Sequence, residues 1–186
     1  FIISQILGGV PVLIHQFLER NAAIFPQDSA LIEINFDNPP RLWADFNLIE
    51  SSRFAPSRQA LSWRDFNDLA NQSANFLINS GIKKGDHVVI ILYNCLHWLP
   101  IYFGILKAGA VAVPFNFRYT ADEIAYCAKL ADVNFIFFGN EFIGRIESAT
   151  PDFNCPLVYV GDNCPSFAEP FYSAVKNGSI NQPQLD

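Results

Sequence analysis

The apolar positions of the chain fall into two kinds of pattern, short continuous runs and stripes at helical spacing. Four continuous runs begin at Val88 (VVIIL), Val111 (VAVP), Asn134 (NFIFF) and Leu157 (LVYV), each start 23 residues after the one before. Unbroken apolar strands are what a sheet covered on both faces requires, whereas a half-exposed sheet would alternate. Between the runs lie stretches with helical periodicity, His97 to Lys107, Ala121 to Ala131 and Asn140 to Ala149. Strand and helix alternating at this interval predict a largely parallel βαβαβαβ sheet flanked by helices, an α/β fold.

Upstream, Pro11 to Phe25 reads as a helix, with Leu13, Ile14, Phe17 and Leu18 on one apolar face. Ala30 to Phe36 and Gln59 to Trp63 read as the two strands of a β-hairpin. They are separated by an aperiodic stretch, Asp37 to Arg58, whose Trp43, Phe46, Leu48, Ile49 and Phe54 imply packing. Ser62 to Asp65 has the form of a capping box, and the helix after it carries Phe66, Leu69, Ala70, Ser73 and Leu77 on one stripe before Gly81 stops it. A second capping box, Thr120 to Glu123, opens the helix at Ala121. The predicted organisation is an N-terminal helix over 1–26, strands with the irregular 37–58 insertion over 27–63, an α/β subdomain over 64–174, and a linker or frayed tail over 175–186.

Composition narrows the functional classes. Hydrophobic residues make up 51% and charged residues 16%, with 18 Phe, so a large core is expected and disorder is not. The net charge of −6 and the scattered 12 Lys and Arg argue against nucleic acid as a partner, because phosphate neutralisation needs clustered cations. The four cysteines show no C-x-x-C spacing and the three histidines stand apart, which speaks against a metal site. Cys95 and Cys127 lie in apolar segments and read as buried free thiols, in keeping with a cytoplasmic location. The apolar stretch from His97 to Pro114 is broken by Pro100, Lys107 and two glycines, so no transmembrane segment is predicted. The start at Phe1 has no basic region and does not read as a signal peptide. Its lack of Met implies a processed or earlier start.

Open parallel sheets take ligands beyond the carboxyl ends of their strands. Those ends are Tyr93-Asn94, Pro114-Phe115-Asn116, Gly139-Asn140 and Gly161-Asp162. They could line a crevice. Alternatively, Asn94 and Asn140 cap helices while the glycines permit turns, and the cap preference of Asn favours this second reading. Lys83-Lys84-Gly85-Asp86 reads as a solvated turn. Lys107 and Arg118 bracket the second strand and could meet a phosphate, but Lys107 also suits the last turn of a helix. No G-x-S-x-G, Walker A or G-x-G-x-x-G run is present.

The ordered set Leu61-Ser-Trp, Gly81, Gly85-Asp86, Asn94, Lys107-Ala-Gly109-Ala, Pro114-Phe-Asn116 and Thr120-Ala-Asp-Glu123 resembles the early part of the AMP-dependent synthetases and ligases. This adenylate-forming superfamily holds acyl-CoA synthetases, luciferases and peptide-synthetase adenylation domains. The likeness runs from about Val12 to Val160 and is greatest to fatty-acid and acyl-CoA synthetases. In the family these pieces are scaffold. The phosphate loop, the ribose-binding aspartate and the catalytic lysine come later, so the resemblance assigns no catalytic or cofactor-binding residue here. It implies a parent enzyme that uses ATP, Mg²⁺ and CoA to convert a carboxylic acid, fatty or aryl, to an acyl-adenylate and then a thioester. It also implies that this chain, alone inactive and binding no cofactor, has the rest of its adenylate-forming domain as partner. Loading of a carrier protein and a non-catalytic flavodoxin-like domain remain alternatives. Phe115, Phe117 and Tyr119 are the expected uncovered apolar surface, which would favour a homo-oligomer.

Overall fold

The computed structural model describes residues 12–34, 58–176 and 178–184. The start of the predicted first helix at Pro11, Phe36, and the insertion with Trp43, Phe46, Leu48, Ile49 and Phe54 lie outside the described residues. In chain order the elements are α1 (Ile14–Ile24), β1 (Ser29–Ile34), β2 (Arg58–Ser62), α2 (Trp63–Asn79), β3 (His87–Ile91), α3 (Trp98–Lys107), β4 (Val111–Pro114) and α4 (Ala121–Leu130). There follow β5 (Val133–Gly139), α5 (Ile143–Ala149), β6 (Leu157–Val160), β7 (Glu169–Pro170) and α6 (Phe171–Val175), with single 3₁₀ turns at Asn140–Phe142 and Thr150–Asp152.

The strands form a five-stranded sheet in the order β4-β3-β5-β6-β7, every pairing parallel, and a separate antiparallel β1–β2 hairpin. The four predicted strands are therefore neighbours in one parallel sheet, and β7 extends it. Successive side chains point to opposite faces. Val88, Ile90, Phe135 and Phe137 face α2, α3 and α6, while Val89, Ile91, Ile136, Phe138 and Tyr159 face α4 and α5. Each buried Phe of β5 contributes on the order of 1.5–3 kcal/mol. The expectation of burial on both faces fails at β4, where Val111 is 44% exposed. Among the described strands β4 pairs with β3 alone, so it is a sheet edge.

Local chemistry sets the helix ends. Ser62 Oγ accepts from the Asp65 N–H at 3.0 Å, and the Thr120–Glu123 box is reciprocal. Gly81 and Gly109 adopt φ of +91° and +75°. Each closes a Schellman turn, with Ile82 N–H donating to Leu77 O and Ala110 N–H to Ile105 O. The predicted stripe of α2 is buried throughout. That of α1 is not. Leu18 is buried against Phe66 and Ala70, but Leu13, Ile14 and Phe17 are exposed.

Residues 178–181, in the segment read as linker or tail, lie along α2. Asn71 Nδ2 donates to Ile180 O at 2.7 Å, and Asn75 Nδ2 donates to Ser179 O and Asn181 O at 2.8 and 2.9 Å.

Candidate functional site

A crevice of about 480 Å³ opens at the carboxyl ends of β3, β5 and β6. Tyr93 and Asn94 after β3, Gly139 at the end of β5 with Asn140 and Glu141 after it, and Gly161, Asp162 and Asn163 after β6 line it. Glu33 of β1, Cys95, His97 and Tyr172 complete the wall. Three of the four predicted strand ends thus meet in one place. The fourth, Pro114 to Asn116, is not in the lining.

The helix-cap reading of the asparagines is overturned. The residue capping α3 is His97 and that preceding the 3₁₀ turn after β5 is Gly139, neither with a side-chain cap bond. Asn94 is exposed in the crevice wall, and Asn140 Oδ1 accepts from Tyr159 Oη at 3.3 Å. Tyr159 Oη is also 2.7 Å from Asp162 O, which fixes the turn after β6. That turn needs Gly161, since a Cβ there would meet Tyr159 Oη at 2.5 Å.

The wall is chemically quiet. Burial drives the His97 imidazole down to about 3, so it is neutral, and it shares a 2.8 Å hydrogen bond with Tyr172 Oη. Burial likewise raises the Tyr172 phenol, keeping it protonated. The Cys95 thiol is pushed up to about 11, chiefly by burial, and is no thiolate nucleophile near neutrality. The hairpin is tied to this wall by Glu33 Oε2, which accepts from the Leu96 N–H at 2.8 Å. All four cysteines are free. Cys95 and Cys127, expected to be buried, are half-buried.

Polyphosphate does not fit these residues. Glu33, Glu141 and Asp162 put three carboxylates on the lining, which among the described residues holds no lysine or arginine. Among the described residues no group of three His, Cys, Asp or Glu is placed to hold a metal ion. Neither cation considered for phosphate contact faces the crevice. Lys107 is 2% exposed, with Nζ 2.9 Å from Glu19 Oε1 of α1. Arg118 lies over the Phe117 ring at 5.2 Å. The Lys83–Asp86 segment is the predicted turn, Asp86 Oδ2 accepting from the Lys83 N–H at 2.8 Å. Of the three rings expected to be uncovered, Phe117 is 46% exposed, but Phe115 and Tyr119 pack on the α4–α5 face of the core. Phe115 and Tyr119 also pack against each other edge to face at 5.8 Å, whereas Phe117 lies in the turn between them.

The family model for AMP-binding enzymes matches residues 18–182, and the chain belongs to this family. Over 106 residues it is 33% identical to a crotonobetaine/carnitine–CoA ligase of Proteus mirabilis (strain HI4320), covering 55% of this chain and 20% of the ligase. The anthranilate CoA ligase AuaEII, solved with anthranoyl-AMP, superposes with a TM-score of 0.75 at 21% identity, covering 92% of this chain and 30% of that one. A Mycobacterium tuberculosis fatty acyl CoA synthetase gives 0.70 at 20% identity over 93% and 30%. These two likenesses establish the fold. The chain spans about a fifth of the length of the curated relatives it matches. Among the described residues no helix is long and apolar enough to cross a membrane.

Proposed function

We propose that this chain is the N-terminal part of an AMP-forming acid–thiol ligase that activates a carboxylic acid, fatty or aryl, with ATP and passes the acyl group to CoA. The observation that carries the reading is the AMP-binding family match over residues 18–182, lying on a parallel sheet with a crevice at its carboxyl edge. The relatives named as CoA ligases favour CoA over a carrier protein as acceptor. The acidic crevice argues against the described residues as holders of the triphosphate and its Mg²⁺, and the 186 residues alone are expected not to turn over. The chain's own part is structural, to present one wall of a ligand crevice on a rigid sheet and to dock against the remainder of the domain. Free thiols fit a cytoplasmic setting.

The test is to supply the full-length polypeptide with ATP, Mg²⁺, CoA and a panel of fatty and aryl acids, and to assay AMP release and, by chromatography with mass detection, the acyl-CoA thioester. Acid-dependent AMP release together with an acyl-CoA thioester is the expected result. AMP release without thioester for every acid would remove CoA as acceptor, and neither product would sink the ligase reading.

A further inference from the structure

Arg145 of α5 does not line the crevice, yet it joins a segment that does, at Glu141, to the loop after β4 that lies outside the lining. Its Nη1 donates to Phe117 O and to Tyr119 O, both at 2.9 Å, and its Nη2 donates to Glu141 O at 3.1 Å. Phe117 and Tyr119 belong to the loop after β4, whose carbonyls have left the strand ladder and need other donors. Glu141 follows β5 and lines the crevice. The guanidinium carbon also sits 4.6 Å from the centroid of the buried Phe142 ring.

The rings close this arrangement on itself. Phe117 meets Tyr93 edge to face at 5.6 Å, and Tyr93 meets Phe142 in the same manner at 5.4 Å. Tyr93 is the crevice residue that follows β3. A single planar cation therefore ties the loop after β4 to the 3₁₀ turn that leads into its own helix, and the two aromatic residues it contacts, Phe117 through its backbone and Phe142 through its ring, hold Tyr93 between them. Lysine could not do this, because three carbonyls in two directions plus a ring face require a fork with several fixed donors. Edge-to-face pairs prefer this offset geometry, so Tyr93 is held by direction as well as by contact.

We propose that Arg145 is the positioning residue of the crevice wall, fixing the ring of Tyr93 through the Phe117 loop and Phe142. It acts on the wall and touches nothing in the crevice, and the claim stands independently of which ligand the parent protein takes.

The test uses the full-length polypeptide labelled with fluorotyrosine, the Tyr93 resonance being assigned with Tyr93→Phe. Arg145→Ala should speed exchange of the Arg118 and Tyr119 amides by about ten-fold or more, with β5 amides unchanged, since local opening is decoupled from the core. The Tyr93 resonance should move toward that of free tyrosine. Added guanidinium ion should restore both signals, whereas Arg145→Lys should restore neither fully. Unchanged loop exchange, a Tyr93 signal that stays put while the loop loosens, or no recovery with guanidinium would each overturn the proposal. If Arg145→Ala does not fold, Phe117→Ala serves instead. It should shift the Tyr93 resonance and leave the Glu141 segment protected, and an unshifted resonance would overturn the relay.

Discussion

At the scale of single residues, the ion pair between α1 and α3 has an asymmetry that decides which half matters. The Lys107 side chain is 1% exposed and that of Glu19 is 24% exposed. Deleting Glu19 leaves a buried ammonium without its nearest partner, whereas deleting Lys107 leaves a carboxylate that can turn toward water. Glu19→Ala should therefore cost about 3 kcal/mol in urea denaturation, and Lys107→Met about 1 kcal/mol, because the methionine refills the stem. The reverse order would show that the pair is not the anchor of α1. His97 gives a second prediction, in pH. Its ordinary value is 6.5 and its folded value is about 3, so between those limits the unfolded chain binds a proton that the folded chain refuses. Stability from this group is complete above 6.5 and is lost as the pH falls toward 3, by at most about 1.4 kcal/mol per pH unit. Replacing it by His97→Gln removes that slope. The stability gap between wild type and mutant should shrink from pH 7 to pH 5, and a gap of constant size would refute the assignment.

At the scale of elements, the contact between α2 and α3 depends on Gly104. A Cβ there would lie 2.6 Å from Ser73 Cβ and 3.0 Å from Ala70 O, too close for either helix to stay in place. Helix propensity favours Gly104→Ala by about 1 kcal/mol, but the overlap should outweigh it and give a net loss of about 1–3 kcal/mol. A thermal melt that rises on this substitution would mean that the helices are not so closely packed. The strands and helices of this layer were legible because each has a local signature, a continuous apolar run or a capped stripe, that needs no knowledge of its partners. What was illegible shares the opposite property. Asn71 and Asn75 look like a solvated face of α2, and their carbonyl partners lie more than 100 residues away, at |i−j| of 104 to 109. Lys107 fits a helix C-terminus so well that nothing in its neighbourhood announces Glu19, 88 residues distant. The crevice was half legible. Parallel strand ends gave its place, but the preference of Asn for caps pointed Asn94 and Asn140 the wrong way, and Glu33, Cys95, His97 and Tyr172 join it only through the fold.

At the scale of the whole molecule, the apolar face of α1 and the edge at Val111 are open among the described residues, while the sheet between its helical layers is closed. This distribution accords with the proposal that the chain is one part of a larger domain and contributes scaffold to it. The acidic crevice adds the electrostatic half of that claim, since its carboxylates, with no lysine or arginine beside them among the described residues, repel a triphosphate. The most direct measurement is acid-dependent exchange of labelled pyrophosphate into ATP, run side by side on the 186-residue chain and on the full-length polypeptide. Exchange by the full-length protein and none above background by the chain alone is the predicted result. Exchange by the isolated chain, or its absence from the full-length protein with every acid tried, would contradict the account.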